Sequence, residues 1–273
     1  MFYLLKIEWL KIRKYTAFIV MTIFFVVGVV ATNYIVYTVN KNIVSNVGPG
    51  NMLSFYPYEF PNTWQTTSYA TGFILLIPSL LLIMLFTNEY TYKTHRQNII
   101  DGLSRRHFIS VKMMLALIFA AVATVLVFLT ALLFGLASGS DFSLTGVEFV
   151  GYFFLKALSY NMIGLLISVL IKRTGFATGL FFLYLGGENF IAKLLDVWSI
   201  RIKSLSGNDV GSMGDYLPMN AADGLLTFPR NTIKTMSSGI FPTDYVWIIF
   251  SLAIAYLILF YWWTRRKFVT ADL

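Results

Sequence analysis

The chain has 273 residues, of which 57% are hydrophobic and 12% charged, and its formal net charge is +8. A soluble domain has no core large enough for that much apolar surface, so the composition is typical of a polytopic membrane protein. The sequence contains no cysteine, which excludes disulfides, thiolate zinc sites and cysteine nucleophiles. The basic residues lie at the ends of apolar runs, so we read them as orientation signals and contacts to anionic membrane lipids, and we predict no binding of nucleic acid.

The N-terminal segment, 1–14, predicts an amphipathic helix in the cytoplasmic headgroup layer, followed by a first span over 15–38. Phe2, Trp9 and Ile12 recur at helical spacing among basic residues, and a tryptophan is a common anchor at the membrane interface. The alternative is a signal peptide. We set it aside because the apolar run that follows has full spanning length.

An outer loop is predicted over 39–66 and a second span over 68–88. Pro78 lies near the middle of that span and predicts a kink, which serves either as a hinge or as a site of tight packing. The aromatic residues of the loop suit an outer aromatic belt, and an aromatic platform for a substrate is the alternative; they are Tyr56, Tyr58, Phe60 and Trp64.

The polar stretch 89–107 separates the second span from a third over 108–137, so it lies in water at one face of the membrane. Its excess of basic residues places it in the cytoplasm. Nothing breaks a helix over 90–100, Asp101–Gly102 supplies a left-handed stop, and Ser104 is placed to cap the next helix. We therefore expect a short cytoplasmic helix clamped between two spans, on which another protein can act.

Two buried charges are predicted in the later spans. Lys156 lies in the outer half of a fourth span over 148–171, where its ammonium either reaches the outer headgroups or lines a polar pathway. Glu188 and Asn189 interrupt the apolar stretch after it. An intramembrane carboxylate is expensive, so Glu188 is a functional candidate; the alternative is a position near the outer interface, bonded to Asn189 or Lys193.

The fifth span is predicted over 174–194. Lys172 and Arg173 form a very short cytoplasmic turn before it, so the fourth and fifth spans are expected to be antiparallel neighbours. Gly175 and Gly179 form a small-xxx-small pattern, which permits close contact between membrane helices.

The last part of the chain predicts short outer helices over 195–243, some of them dipping into the membrane, and a sixth span over 244–264. We thus expect an all-α integral membrane protein with six transmembrane helices and both termini in the cytoplasm. The basic residues then lie mainly inside. Those placed outside are Lys41, Lys193, Arg201, Lys203, Arg230 and Lys234.

Sequence motifs give the chain no chemistry of its own. It contains no GxxxxGK[ST], HExxH or GxSxG, so neither an ATP site nor a catalytic nucleophile is visible. His95 and His107 have no carboxylate at a metal-motif spacing and are read as solvated residues. A secondary transporter would more often show internal repeats and buried charges in both halves.

The chain resembles the membrane subunit of a type-two ABC exporter over nearly its full length. The most specific part of the resemblance is the polar stretch after the second span, with a glutamate, a threonine, two apolar residues, Ser-Arg, and a lysine entering the third span. The sequence departs from the family pattern at Lys93, where glycine is usual, and at Gly102, near the usual proline. The matching residues are Glu89, Thr94, Ile99, Ile100, Ser104, Arg105 and Lys112.

The resemblance implies a plasma-membrane (inner-membrane) permease that pairs with itself or with a related permease and with two copies of a separate cytoplasmic ATPase. ATP and magnesium would bind to that ATPase, and we expect no cofactor in this chain. Gly175 and Gly179 would face the partner permease. The residues that would couple to the ATPase, unless this is simply a solvated loop, are Glu89, Tyr90, Tyr92, Thr94, His95, Arg96, Asn98, Ser104 and Arg105, several of them expected to be exposed.

The competing class is an ATP-independent secondary transporter or channel that uses Glu188 and Lys156. A membrane enzyme would need a catalytic pair, which the sequence does not show. In either transporter the candidates for the translocation path are Lys156, Glu188 and Asn189. Apolar, aromatic walls suit an amphiphilic substrate such as a lipid, a hydrophobic drug or a peptide antibiotic.

Overall fold

The computed structural model describes residues 2–47, 56–229 and 245–270. In these ranges the regular structure is helical, without strands. The helices are α1 Phe2–Ile12, α2 Thr16–Val47, α3 Asn62–Gly72, α4 Leu76–Thr91, α5 Thr94–Ile100, α6 Arg105–Ala137, α7 Glu148–Ile171, α8 Thr174–Ser206, a 3-10 turn Met213–Tyr216, α9 Asn220–Gly224 and α10 Val246–Thr270.

Four of the described helices are long and apolar enough to cross a membrane: α2, α6, α7 and α10. The pair α3 and α4 makes a fifth if it counts as one span, bent by 44° between its halves. Helix α8 contains the fifth predicted span and is as long as α6, but Glu188, Asn189, Lys193 and Asp196 interrupt its apolar stretch. The described helices therefore amount to four or five apolar spans, and the predicted count of six depends on α8.

Helix α7 is the centre of the bundle. Of its apolar segment 72% is buried inside the protein, against 17% for α2 or α10. Asn161 in the middle of α7 accepts a hydrogen bond from Ser79 Oγ of α4 (3.0 Å) and donates one to the carbonyl of Ala116 in α6 (3.0 Å). One buried amide thus joins three helices, as expected where the surroundings offer no water to a polar group.

Helix α3 is buried although its sequence, NTWQTTSYATG, is polar. Its side chains bond to backbone around it: Thr63 Oγ1 donates to the carbonyl of Ala131 (3.2 Å), and Trp64 Nε1 donates to that of Ser143 (2.8 Å). Both Trp64 and Tyr58 are fully enclosed. The predicted aromatic belt is therefore wrong for these two residues, because their polar atoms find partners inside the bundle.

The predicted kink near Pro78 corresponds to the break at 73–75, between α3 and α4. Pro78 lies in the first turn of α4, where an N–H has no partner within the helix, so the proline is accommodated there without losing a bond. The second predicted span, 68–88, thus begins inside α3, and α3 itself occupies part of the predicted outer loop.

Two helices run beyond their predicted ends. Helix α2 continues to Val47, past the predicted end at 38, and α8 continues to Ser206, so the segment predicted to begin at 195 starts inside a helix. Residues 48–55 and 230–244 lie outside the described residues, and with them Arg230, Lys234 and the first residue of the predicted sixth span.

The bundle has two ends, which we name by the short helices that they carry. At the α5 end Thr87 and Thr174 hydroxyls bond to each other (2.8 Å), and Arg105 Nη1 donates to the carbonyl of Val269 (3.3 Å). At the α9 end Phe60 N donates to Ser140 Oγ (3.0 Å). Successive long helices are therefore antiparallel, including α7 and α8 on either side of the predicted short turn.

Candidate functional site

The connector between α4 and α6 is a short helix held between two left-handed residues. Helix α4 ends at Thr91, and Lys93 has a φ of 57°, so the helix predicted to be continuous over 90–100 is broken there and restarts as α5. After α5, Gly102 has a φ of 99°, and Ser104 accepts a hydrogen bond from the backbone N–H of His107. The predicted stop and cap are both confirmed.

Lys93 is the position at which the exporter pattern usually has glycine. The left-handed conformation found there crowds the Cβ atom and costs a non-glycine residue about 1–2 kcal/mol. Glycine adopts it freely, which gives the family pattern a physical reason at this position. The departure at Lys93 therefore leaves the backbone course of the connector intact and adds strain to it.

One face of α5 is exposed and the other is fixed to α4. Tyr92 and Ile100 are 75% and 84% exposed, and Arg96 lies between them on the outer surface. His95, by contrast, is only 5% exposed, so the prediction that it is a solvated contact residue is wrong. Tyr90 and Asn98, also expected to be exposed, are half-buried, as are Thr94 and Arg105, while Ser104 and His107 are exposed.

His95 is buried because it fastens α5 to the end of α4. Its Nδ1 lies 2.9 Å from the carbonyl oxygen of Glu89, so that nitrogen carries a proton and donates. Its ring packs on Tyr90, with centroids 4.2 Å apart, and Lys172 Nζ lies 5.3 Å from the centre of the same tyrosine ring. The connector is thus linked through aromatic contacts to the turn between α7 and α8.

Four charged side chains from three helices meet beside the connector; we call Glu8, Lys11, Glu89 and Lys112 the charge cluster. Lys112 Nζ lies 2.5 Å from Glu8 Oε2 and 2.8 Å from Glu89 Oε1. Lys11 Nζ lies 3.0 Å from Glu8 Oε1 and 3.4 Å from Glu89 Oε1. The cluster joins α1, α4 and α6 and is electrically neutral.

The cluster is stable because each charge has an opposite partner at close range. Lys112 is 3% exposed, and an ammonium buried to that extent needs such partners. Burial alone would raise the pKa of Glu8, but the ammonium groups of Lys112 and Lys11 outweigh it and hold that pKa below its usual range. Burial would likewise lower the pKa of Lys11, yet the carboxylates of Glu89 and Glu8 raise it.

Sequence reasoning found two members of the cluster, Glu89 and Lys112, through the exporter pattern, and missed the other two. Glu89 was expected on the contact surface, but it is buried and faces its lysine partners. The sequence does mark Glu8, because it is the one carboxylate in an otherwise basic amphipathic helix. Its partner Lys112 is 104 residues away in the chain.

At the α9 end, Lys156 forms a half-buried ion pair with Asp223. The Nζ–Oδ1 distance is 3.2 Å, and Tyr160 donates a hydrogen bond to the other carboxylate oxygen (3.0 Å). The prediction that Lys156 snorkels to the headgroups is therefore wrong, because its partner reaches it inside the bundle. Lys156 is eight residues from the start of α7, about 12 Å at 1.5 Å per residue.

Glu188 holds the same short segment from the other side. Its Oε1 accepts hydrogen bonds from the backbone N–H groups of Met219 (2.5 Å) and Asn220 (2.9 Å) and from the Asn220 amide (3.2 Å). The alternative in which Asn189 or Lys193 bonds to Glu188 is wrong: Asn189 donates to the carbonyl of Leu185 (2.9 Å), and Lys193 pairs with Asp196 (3.6 Å).

Helix α9 consequently lies inside the bundle. Ala221 and Ala222 are fully buried, and α9 packs against α7, α8 and α10. Helix α9 is one of the short helices expected between the fifth and sixth predicted spans, and its anchors are Lys156 and Glu188. Asp223 was not singled out from the sequence, because nothing local in NAADG marks it as a partner for a lysine 67 positions earlier.

Gly175 and Gly179 lie on the opposite, outward face of α8. A Cβ atom added at either would meet no other atom within 4 Å among the residues that the structure describes. Asn189 is exposed as well. Phe176, Leu183 and Phe190 extend this face into an apolar surface.

The described helices form a bundle typical of a multi-pass membrane protein, with a short helix between α4 and α6. The sequence model of the ABC-2 family transporter proteins matches residues 4–185, well over half of the chain. The chain therefore belongs to the ABC-2 transporter family and is a permease of the ABC-2 type, a membrane component that generally lacks an ATPase site and associates with an ABC ATPase. The comparison with curated proteins finds no match.

The matched range includes the whole charge cluster, the connector and Lys156. It ends three residues before Glu188, so the α9 anchor on α8 lies beyond it. The family match thus covers the charge cluster, the connector and Lys156, whereas Glu188, α9 and α10 are described by their contacts alone.

Proposed function

We propose that this chain is the permease subunit of an ATP-driven exporter and that a separate cytoplasmic ATPase drives it through α5. The observation that carries the proposal is the two-sided construction of the connector. Its outer side presents Tyr92, Arg96 and Ile100 to a partner, and its inner side is bonded to α4 through His95. A push on the exposed side is therefore transmitted to α4, and through Glu89 to α1 and α6.

The exposed side has the composition of a protein contact surface. Tyrosine and arginine are enriched at interface cores, and here Tyr92 and Arg96 lie within nine residues of the exposed apolar Ile100. Glu89, Tyr90, Thr94 and His95 act behind that surface as positioning residues. Asn98, Ser104 and Arg105 frame the C-terminal side of α5.

The orientation follows from the distribution of basic residues. Cytoplasmic ends of membrane helices carry an excess of lysine and arginine. Exposed basic residues cluster at the α5 end, which supports a cytoplasmic position for α5 and for both termini: Arg13, Lys14, Lys93, Arg96, Arg106, Arg173, Arg265, Arg266 and Lys267.

The complex would contain two permeases and two ATPases, with ATP and magnesium bound by the ATPases. The outward face of α8 supports a permease–permease contact, because Gly175 and Gly179 leave open space on an apolar surface where a second helix can approach closely. Asn189 lies on α8 with them and is better suited to this contact than to the translocation path.

The translocation path would open at the α9 end. Lys156 and Glu188 hold α9 inside the bundle with one ion pair and three hydrogen bonds to a single carboxylate oxygen. A five-residue helix held by side chains of α7 and α8 is suited to act as a gate that leaves its place when those two helices move. The mainly apolar interior favours an amphiphilic substrate such as a lipid, a hydrophobic drug or a peptide antibiotic.

A secondary transporter or channel is the second candidate, and the contacts of the buried charges weigh against it. Lys156 already pairs with Asp223, and Glu188 is occupied by the backbone of α9. A carrier that moves protons through these groups would have to break the anchors of α9 in each cycle.

The test is assembly of this chain with a candidate ABC ATPase. The double variant Tyr92→Ala, Arg96→Glu removes an aromatic contact and reverses a charge on the exposed side of α5, so we expect loss of co-purification and of ATPase stimulation. Arg201→Glu is the matched control, since it reverses an exposed charge on α8 near the α9 end. Normal assembly and coupling of the double variant would count against the proposal.

A further inference from the structure

An apolar furrow runs along the outside of the bundle between α1, α2, α4 and α6. It encloses about 350 Å³, and apart from Thr22 its lining side chains are apolar. Trp9 of α1 closes it at the α5 end by packing edge-on against Phe18 of α2, with ring centroids 5.9 Å apart. Pro78 forms part of its floor and Val122 part of its rim.

The furrow opens toward the bilayer. Val122 and Trp9 are both largely exposed, as is Thr22 on the opposite rim. Water finds no hydrogen-bond partner in an apolar cavity, whereas a hydrocarbon chain makes van der Waals contacts with the side chains that line it. In a membrane the acyl chains of the surrounding lipids are the hydrocarbon present at the highest concentration.

The dimensions favour a chain over a protein helix. An α-helix with its side chains is about 10–12 Å across. An extended acyl chain is much narrower and can lie along α2 from Phe18 to Phe25. A second permease would rest on the rims of the furrow without filling it.

The charge beside the furrow selects the headgroup. Arg13 and Lys14 form the turn between α1 and α2, next to the end closed by Trp9, and both are exposed. Each basic side chain near the membrane surface attracts anionic lipid. Lys11 is also close, but it is paired with Glu8 and Glu89 and adds no net charge.

We infer that this furrow is a binding site for an anionic glycerophospholipid, with one acyl chain between α2 and α6 and the headgroup on Arg13 and Lys14. The inference does not depend on the direction of transport or on the ATPase. A lipid bound there packs on Pro78 and Leu81 of α4, the helix that ends at Glu89 and leads into the connector. It would brace α1, α2, α4 and α6 against one another.

The test uses the full chain in vesicles that contain phosphatidylglycerol or phosphatidylcholine with a photoreactive acyl chain. After irradiation we expect labelled peptides from 18–25 and 118–123 in preference to other lipid-facing segments. Phosphatidylglycerol should label more than phosphatidylcholine, and Arg13→Gln and Lys14→Gln should each lower its labelling about fivefold. Equal labelling by both lipids, or labelling spread evenly over α2, α6 and α10, would overturn the inference.

Two further variants separate the furrow from the general surface. Val122→Trp fills the furrow from its rim and should abolish labelling, whereas Val125→Trp on the same helix is exposed but lies outside the furrow and should leave labelling unchanged. Equal effects of the two would contradict the site. Because the chain has no cysteine, Val122→Cys also reports on a second copy: disulfide-linked dimers at this position would show that protein covers the furrow.

The same label distinguishes a resident lipid from a transported one. Labelling that persists while the assembled ATPase hydrolyses ATP supports a bound, structural lipid. Labelling that disappears during turnover would place the furrow on the substrate path and overturn the inference, while leaving the proposed export function intact.

Discussion

The two ends of the bundle bury charges in different ways. At the α5 end, the charge cluster joins α1, α4 and α6 through four ion pairs between side chains. At the α9 end, side chains of α7 and α8 hold a five-residue helix through the Lys156–Asp223 ion pair, the Tyr160 hydrogen bond to Asp223 and the bonds to Glu188. Helices joined by a neutral cluster move together, whereas a five-residue helix held by its neighbours' side chains can be released alone. The α5 end is therefore suited to receiving force, and the α9 end is suited to opening.

The largest effect is expected from Lys112→Met, which removes the shared cation of the cluster. Glu8 and Glu89 would remain buried side by side, and an uncompensated buried charge costs about 3–5 kcal/mol. Unfolding of the purified protein in detergent, followed by helical circular dichroism, would measure the loss.

Lys11→Met is the matched control for that variant. The Lys11 side chain is 39% exposed and lies farther from Glu89, so solvent screens much of its interaction and a much smaller loss is expected. Equal stability of the two variants would contradict the role of Lys112 as the cation that holds the charge cluster together.

The second largest effect is expected from Glu188→Ala, and it should be local. The backbone N–H groups of Met219 and Asn220 would lose their acceptor, and each unsatisfied buried donor costs about 1–3 kcal/mol. Hydrogen exchange of the α9 amides should accelerate tenfold or more while α4 and α6 remain protected.

Asn189→Ala supplies the control for the α9 anchor. It is the next residue of the same helix and is exposed, and among the described residues its side chain bonds to the carbonyl of Leu185 in its own helix. Exchange in α9 should not change. Acceleration that spread through the whole bundle after Glu188→Ala would show that α9 is part of the global core and would contradict its role as a releasable element.

Acid should weaken the cluster through Glu8. Its pKa is lower in the folded protein than in the unfolded chain, so its contribution to stability is complete above about pH 4.3 and is lost as the pH falls through the folded-state value. The pKa of Lys11 is raised, so its contribution is complete below about pH 10.4 and is lost at higher pH. Glu8→Gln should flatten the acid side of the stability profile, and an unchanged acid side would exclude Glu8 as its source.

The long helices could be read from the sequence because hydropathy is a local property. The same holds for the connector's stop and cap, since Gly102 and Ser104 act on their own neighbours. Helix α3 could not be predicted in this way, because its polar side chains suggest a loop. Their hydrogen bonds to the carbonyls of Ala131 and Ser143 form only when the chain is folded. An apolar pattern locates a helix, but it does not identify the distant group that forms a hydrogen bond with a buried hydroxyl.

The site residues show the same difference between what is local in the sequence and what depends on the fold. Lys156 and Glu188 are predictable as buried charges because a charge inside an apolar run is rare, whereas Glu89 and Lys112 are marked by the exporter pattern, which does not say that they are buried. The partners Glu8 and Asp223 lie far away along the chain from Lys112 and Lys156. The sequence could therefore predict that α7 and α8 carry buried charge, and only the packing of the helices reveals which charges pair.

The smallest effect is expected from Lys93→Gly, which changes the hinge between α4 and the connector without touching the cluster. Glycine removes the left-handed strain of about 1–2 kcal/mol, but it also loosens the unfolded chain, which offsets about 0.4–1 kcal/mol. The net gain lies between about 0 and 1.6 kcal/mol and should appear as a small rise in the melting temperature. Lys93→Ala removes the same charge and keeps the strain, so it should not gain stability. Equal behaviour of the two variants would mean that charge, and not backbone conformation, limits the connector.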